Sequence, residues 1–251
     1  MLGAQKLGQW NFQAGGSTAP PADGLPGLTA QGTATTRIIT ITGDVLTQSR
    51  RIGYVSAAVI DSVAGVRSAA VQVANAPTVA GAGRYGGGGW TLFMQAAISD
   101  PALNPEARMF MGMQDVVTAA VAVDPATLTS VLGFGCDNGD TTLHFYSNDA
   151  AGLATDTDLG ASFPVTPLAG GSGRDLFWRM MISCAAGQPA GAIVYNWAIE
   201  RVQTGHLASG TVIANGPTQL AMAPRLWRAT GPVNAAAVAL DVGILRLGSQ
   251  L

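Results

Sequence analysis

One stretch, residues 131–146, constrains this chain more than any other. It reads Val131-Leu132-Gly133-Phe134-Gly135-Cys136, then Asp137-Asn138-Gly139-Asp140, then Thr141-Thr142-Leu143-His144-Phe145-Tyr146. Two short apolar and β-branched arms flank residues that tolerate positive φ, which is the local recipe for an antiparallel hairpin. Leu132, Phe134 and Cys136 fall on one face of the first arm, and Leu143 and Phe145 on one face of the second, so each arm has a side to bury. His144 and Tyr146 share the opposite face.

The same grammar recurs along the chain. Strand-like runs are expected at Arg37–Thr42, Arg51–Ser56, Trp90–Ile98, Ala107–Gln114, Leu176–Cys184, Ile193–Val202, His206–Ile213, Ala223–Arg228 and Val238–Leu247, separated by Gly- and Pro-rich turns. Val59, Val63, Val66, Ala70 and Val73 are spaced as a coiled-coil seam would be, yet Gly65 and the β-branched residues disfavour a helix, so two strands with a turn near Asp61–Gly65 are preferred. Met109, Met111 and Met113 share a strand face and read as core lining. Residues 115–129 read as a connection with a short turn of helix, and residues 147–160 as loop. Many short strands in this rhythm predict an all-β fold, a concanavalin-like or jelly-roll antiparallel β-sandwich. Residues 1–35 are rich in Gly, Ser, Thr, Ala and Pro and are expected to form an irregular, extended attachment segment anchored by Trp10 and Phe12, with the sandwich domain spanning 36–251.

Charged residues make up only 11% of the chain, net charge is −2, and Lys6 is the only lysine. A nucleic-acid partner lacks its basic footprint. The surface left over is Gly, Ala, Ser, Thr and Asn, which suits identical copies or a neutral polar partner such as sugar. No apolar run of membrane-spanning length and no leader pattern occurs, so neither membrane insertion nor export by a signal peptide is expected. Cys136 and Cys184 sit in apolar runs and read as buried free thiols, with no Cys-x-x-Cys metal motif. The glycine run Gly86–Gly89 lacks the Gly-Lys-Ser/Thr that a phosphate loop needs.

Asp137, Asn138, Asp140, Asn148, Asp149, Asp156 and Asp158 put seven oxygen-bearing side chains in a short span, a number that calcium can use. They lack the twelve-residue loop with a terminal Glu, and the same residues are ordinary turn formers, so no cofactor is expected and calcium stays a minor alternative. Catalysis finds little support. Glu106 and Glu200 are the only glutamates, Glu200 has Arg201 beside it, and neither His144 nor His206 is accompanied by a Gly-x-Ser-x-Gly elbow. A binding role fits better, because sugar sites combine an aromatic platform with a few fixed polar groups. Asp137, Asn138, Asp140, His144 and Tyr146 around the hairpin are the candidates, with Trp227 as a further aromatic. Each has a plainer role beside it: turn formers, strand-face neighbours and core.

From Arg51 onward the motif order resembles a family of tailed-phage virion proteins, fibre or spike subunits with a lectin-like β-sandwich domain. The likeness rests on Arg51–Ala57, Val63–Arg67, Ile98–Asp100, Ala107–Met113, Gly133–Thr141, Asp158–Pro164, Arg201–Gly205 and Ala223–Arg228. Met111 and Met113 stand where members tend to show Val or Leu, a volume-conserving change. The resemblance implies a virion protein assembled in the host cytoplasm, a homotrimer that docks on other virion proteins through residues 1–35 and attaches to host cell-surface polysaccharide. A purely architectural capsid or tail decoration is the alternative, and a capsule-degrading glycosidase a second one.

Overall fold

The computed structural model describes residues 5–10, 22–23, 27–37, 51–68, 89–166, 176–186, 188, 193–217 and 222–250. Its strands in chain order are β1 (Gln5–Trp10), β2 (Ala22–Asp23), β3 (Leu28–Gln31), β4 (Thr33–Arg37), β5 (Arg51–Val55), β6 (Val63–Ser68), β7 (Trp90–Ile98) and β8 (Arg108–Gln114). There follow β9 (Val131–Cys136), β10 (His144–Asn148), β11 (Thr155–Asp158), β12 (Phe177–Cys184), β13 (Tyr195–Arg201), β14 (His206–Val212), β15 (Ala223–Ala229) and β16 (Ala239–Gln250). A 3-10 turn at Pro125–Thr127 is the helical turn expected between residues 115 and 129.

Two antiparallel sheets form the sandwich. One runs β14-β13-β12-β7-β16-β1-β2, with β5 on β16 and β4 on β5; the other runs β11-β10-β9-β8-β15-β6-β3. Alternate residues of each strand meet between the sheets: Leu92, Met94 and Ala96 from β7, Trp178, Met180 and Ile182 from β12, Met109, Met111 and Met113 from β8, and Leu132, Phe134 and Cys136 from β9. Full burial of each large apolar side chain stabilises the fold by about 1.5–3 kcal/mol, which is why the period-two pattern decides the register. The methionine row is core, as the alternation predicts.

The core carries a charge at one end. Arg228 faces inward on β15 and is 1% exposed, and its guanidinium grips Asp100 in two-pronged fashion at 2.7–3.1 Å. Asp100 also accepts the Ala239 N–H, so the pair ties the β7–β8 connection to the start of β16.

The structure departs from the sequence reading in four places. The stretch 1–35 contributes strands to both sheets: β1 pairs with β16, β3 with β6, and β4 with β5, so a boundary at 35 falls inside β4. Sheet pairing satisfies backbone groups and needs no large side chains, so a Gly/Ala/Thr tract can supply strands without an apolar pattern. The second arm of the hairpin starts at His144 and not at Thr141, leaving a seven-residue connection, 137–143. Residues 155–158, read as loop, form an exposed edge strand against β10. Two strands do form over 51–68, but the turn between them falls at residues 58–61 and not at Asp61–Gly65, because Val63, Ala64 and Gly65 pair with β15 as the start of β6. Phe12, the strand expected over 38–42 and the glycines at 86–88 lie outside the described residues.

Candidate functional site

The hairpin β9–β10 lies near one edge of the seven-stranded sheet, and its outward face carries most of the residues singled out in the sequence. His144 and Tyr146, two apart on β10, stack with ring centroids 5.9 Å apart and planes 18° apart. Tyr146 is fully buried. Gly135 and Gly133, opposite them on β9, leave room for this face to fill: a Cβ at Gly133 would lie 2.7 Å from the Phe110 ring, and one at Gly135 would lie 3.3 Å from the Tyr146 ring.

Carboxylates gather around His144. Its Nδ1 lies 2.5 Å from Asp156 Oδ1, and its Nε2 lies 3.6 Å from Asp140 Oδ2 and 3.8 Å from Asp158 Oδ1. Thr142 Oγ1 donates to Asp158 Oδ1 at 2.7 Å, and the Gly160 N–H donates to the same oxygen at 2.8 Å. These hydrogen bonds, the backbone one foremost, hold the Asp158 carboxyl below the usual carboxylate range. Asp137 is pushed the other way by burial, with Asp124 and Asp140 adding repulsion against the hydrogen bond from the Ala126 N–H. Asp140 Oδ2 accepts from the Asp137 N–H and from the Tyr146 hydroxyl. The Thr142 hydroxyl also lies 3.4 Å from His144 Nε2, while its proton goes to Asp158 Oδ1.

Asp137, Asp140, His144 and Tyr146 are thus brought together, and the Asn138 N–H bonds Asp124 at the tip. Trp227 is not among them. Register runs His144, Gly135, Phe110, Trp227 across four strands, placing the indole about 14 Å away. It is 2% exposed and packs on Phe110 in a second small core with Ala120, Val131 and Ala229. The β8–β9 connection covers it. Arg67 donates to Val117 O, Arg225 to Thr118 O and Arg108 to Ala122 O, while Gln31 and Ala120 exchange hydrogen bonds of 3.1 and 2.7 Å. Burial, with Arg67 nearby, pulls Arg225 down to about 10. Neither Tyr146 nor Trp227 presents a ring face to solvent, so the aromatic platform expected at the hairpin is absent from that face. Trp10 lies on β1, which pairs with β16.

A different aromatic, Trp197, 7% exposed, lines a cleft on the other side of β11. Asp156 and Asp158 point outward with His144, whereas Thr155 and Thr157 stand opposite Ser147 and Phe145 and point between the sheets. There a cleft of about 560 Å³ separates β11, the edge of one sheet, from β14, the edge of the other. Trp197 forms its inner wall, backed by Phe145 at 4.8 Å and Phe134 at 5.9 Å. Gly210 on β14 lies opposite Trp197, and a Cβ there would fall 2.5 Å from the indole Cζ2. Residues 208–214 line the β14 side continuously, and an edge strand leaves part of its N–H and C=O groups unpaired toward that side. Trp197 carries no sequence signal that separates it from its neighbours Tyr195 and Ile199, which face the same way.

Among the described residues no group of three or more His, Cys, Asp or Glu side chains is arranged to hold a metal ion. Asn148 spends its amide on Leu128 O and Gly152 O, and Asp149 lies beside Asn215, away from the His144 cluster. No helix among the described residues is long and apolar enough to cross a membrane.

The comparisons with solved structures decide the architecture. Arcelin-5, a lectin-like defence protein from Phaseolus vulgaris, superposes over 98% of this chain and 99% of its own with a TM-score of 0.55 at 9% identity. The fold is a lectin-like jelly-roll sandwich. The Emp47p carbohydrate recognition domain matches over 97% of this chain and 95% of its own, TM-score 0.53 at 9% identity. Lectin UEA-II, solved with galactose, matches over 99% of both chains, TM-score 0.51 at 10% identity. No protein-family model and no curated protein matches the sequence.

Proposed function

We propose that this chain is a non-catalytic glycan-binding protein, a fibre or spike subunit through which a virion attaches to host cell-surface polysaccharide. The observation that carries the binding reading is the β11–β14 cleft. It combines an indole edge, two threonine hydroxyls and an open backbone edge in about 560 Å³, which are the ingredients of a sugar site: an apolar ring for the C–H face and fixed polar groups for the hydroxyls. The lectin-like fold supports the reading, and the resemblance to tailed-phage fibre and spike proteins supports the virion setting, with Trp10 and Phe12 as the proposed docking residues. The polar tip, Asp137, Asn138, Asp140 and His144, is the outer rim of the same edge.

One observation favours a contact between subunits as well. Three loops at the hairpin-tip end are stitched together by Asp61 N–H to Gly231 O, Thr230 Oγ1 to Val59 O, and Val233 and Asn234 N–H to Glu106. They expose Val59, Ile60, Leu103 and Val233, each more than half accessible. Such a patch suits the homotrimer or an architectural decoration. A glycan array and a host-cell attachment assay test the binding reading. Wild type is expected to bind, Thr157→Trp, which fills the cleft from an exposed strand position, is expected to lose binding, and replacement of Asp137, Asn138 and Asp140 by Ala is expected to weaken it less. Wild-type protein that captures no glycan and no cell contradicts the proposal.

A further inference from the structure

The cleft's charge distribution says more than that it is a sugar site. The side chains that point into it from β10, β11, β13 and β14 are Ser147, Thr155, Thr157, Trp197, Ala208 and Val212, none of them charged. Asp158 is the one charged residue along its wall, and its Oδ1 is turned to the outer side, where Thr142 and Gly160 hold it. Behind that wall stand Asp156 and Asp140. Their nearest basic group, His144, already has a carboxylate 2.5 Å from Nδ1. Neither Arg179, paired with Glu200 at 3.3 Å, nor Arg201, held on Ser162 O at 3.2 Å, lines the cleft. A ligand in the cleft therefore meets hydroxyls, amides and an indole directly, with Asp158 along the wall, Asp156 and Asp140 behind it, and no Arg, Lys or His among the described residues that line it.

We propose that the cleft selects neutral glycans, hexose or N-acetylhexosamine oligosaccharides, and rejects their carboxylated counterparts. This rests on the glycan-binding reading and narrows it. An anionic sugar would bring its charge within a Debye length of Asp156 and Asp158, while losing hydration that no guanidinium among the described lining residues replaces. A neutral sugar incurs neither cost. The hydroxyls of Thr155 and Thr157 serve as both donors and acceptors, and so do the free N–H and C=O groups of the β14 edge, so a ring bearing several hydroxyls can be matched without charge.

Paired probes test this: lactose against 3′-sialyllactose, and galactose oligomers against galacturonic acid oligomers, on an array and by titration calorimetry with the full chain. The expected result is that at least one neutral probe binds and its acidic counterpart binds at least tenfold more weakly. The gap is expected to narrow severalfold at high salt and in the Asp156→Asn/Asp158→Asn double variant, whose side chains keep their acceptor oxygens. Acidic probes that bind as tightly as their neutral partners, or a neutral affinity that Thr157→Trp leaves unchanged, overturn the inference while the glycan-binding reading stands. Failure of every probe and of the wider array overturns both.

Discussion

Gly210 faces Trp197 across the β13–β14 pair, so close that a single added carbon would press on the indole at 2.5 Å. The indole cannot retreat freely, because Phe145 stacks behind it at 4.8 Å. Gly210→Ala is therefore expected to destabilise the fold by about 1–3 kcal/mol, the usual cost of overpacking, and to weaken glycan binding together with it. Urea unfolding gives the first quantity and calorimetric titration the second. A variant as stable as wild type would show that the wall yields.

The Asp100–Arg228 pair, whose side chains are 0% and 1% exposed, makes a sharper energetic prediction. Asp100→Ala leaves a guanidinium without its counter-charge and the Ala239 N–H without an acceptor, and is expected to cost about 3–5 kcal/mol. Replacing both partners with apolar residues is expected to cost much less than this single change. Denaturation midpoints of the two variants settle the comparison.

Asp137 supplies a pH prediction with a definite sign. Burial raises its carboxyl, so the folded state binds that proton more tightly than the unfolded state does. Its contribution to stability is full below the unfolded pKa and is lost as pH rises through the folded one. Asp137→Asn keeps an oxygen for the Ala126 N–H and removes the charge. The variant is expected to be more stable than wild type at neutral pH, and the difference to close as pH falls through the raised pKa. Melting curves across the acid range check this.

The two thiols, Cys136 and Cys184, are expected to be inert. Burial pushes them up to about 12 and about 11, and neither is more than 2% exposed. A thiol reagent at mildly alkaline pH should label neither in the folded protein and both in denaturant.

Much of this architecture was legible where side chains alternate. Trp90–Ile98 and Val131–Cys136 form strands with the bounds their apolar pattern suggests, and the methionines of β8 line the core as their spacing implies. Thr155–Asp158 was not legible, since Thr and Asp alternating without an apolar residue look like turn, and only pairing with β10 makes them a strand. The cover over Trp227 was hidden for another reason. It depends on Arg67 and Arg225 reaching carbonyls 50 and 107 residues away, which no local pattern encodes. The site residues that the sequence singled out on the hairpin lie on its outer face, whereas the proposed cleft lies on the inner side of β11. The aromatic of the cleft wall, Trp197, comes from another strand and has the space it occupies only because Gly210 pairs beside it.

Amide and indole chemical-shift mapping on isotopically labelled protein, titrated with a neutral oligosaccharide that the array identifies, tests the central claim most directly. The account predicts saturable shifts at the Trp197 indole N–H, at Thr155 and Thr157, and along residues 208–214. Saturable shifts confined to residues 137–144, or located on the far edge of either sheet, would contradict it.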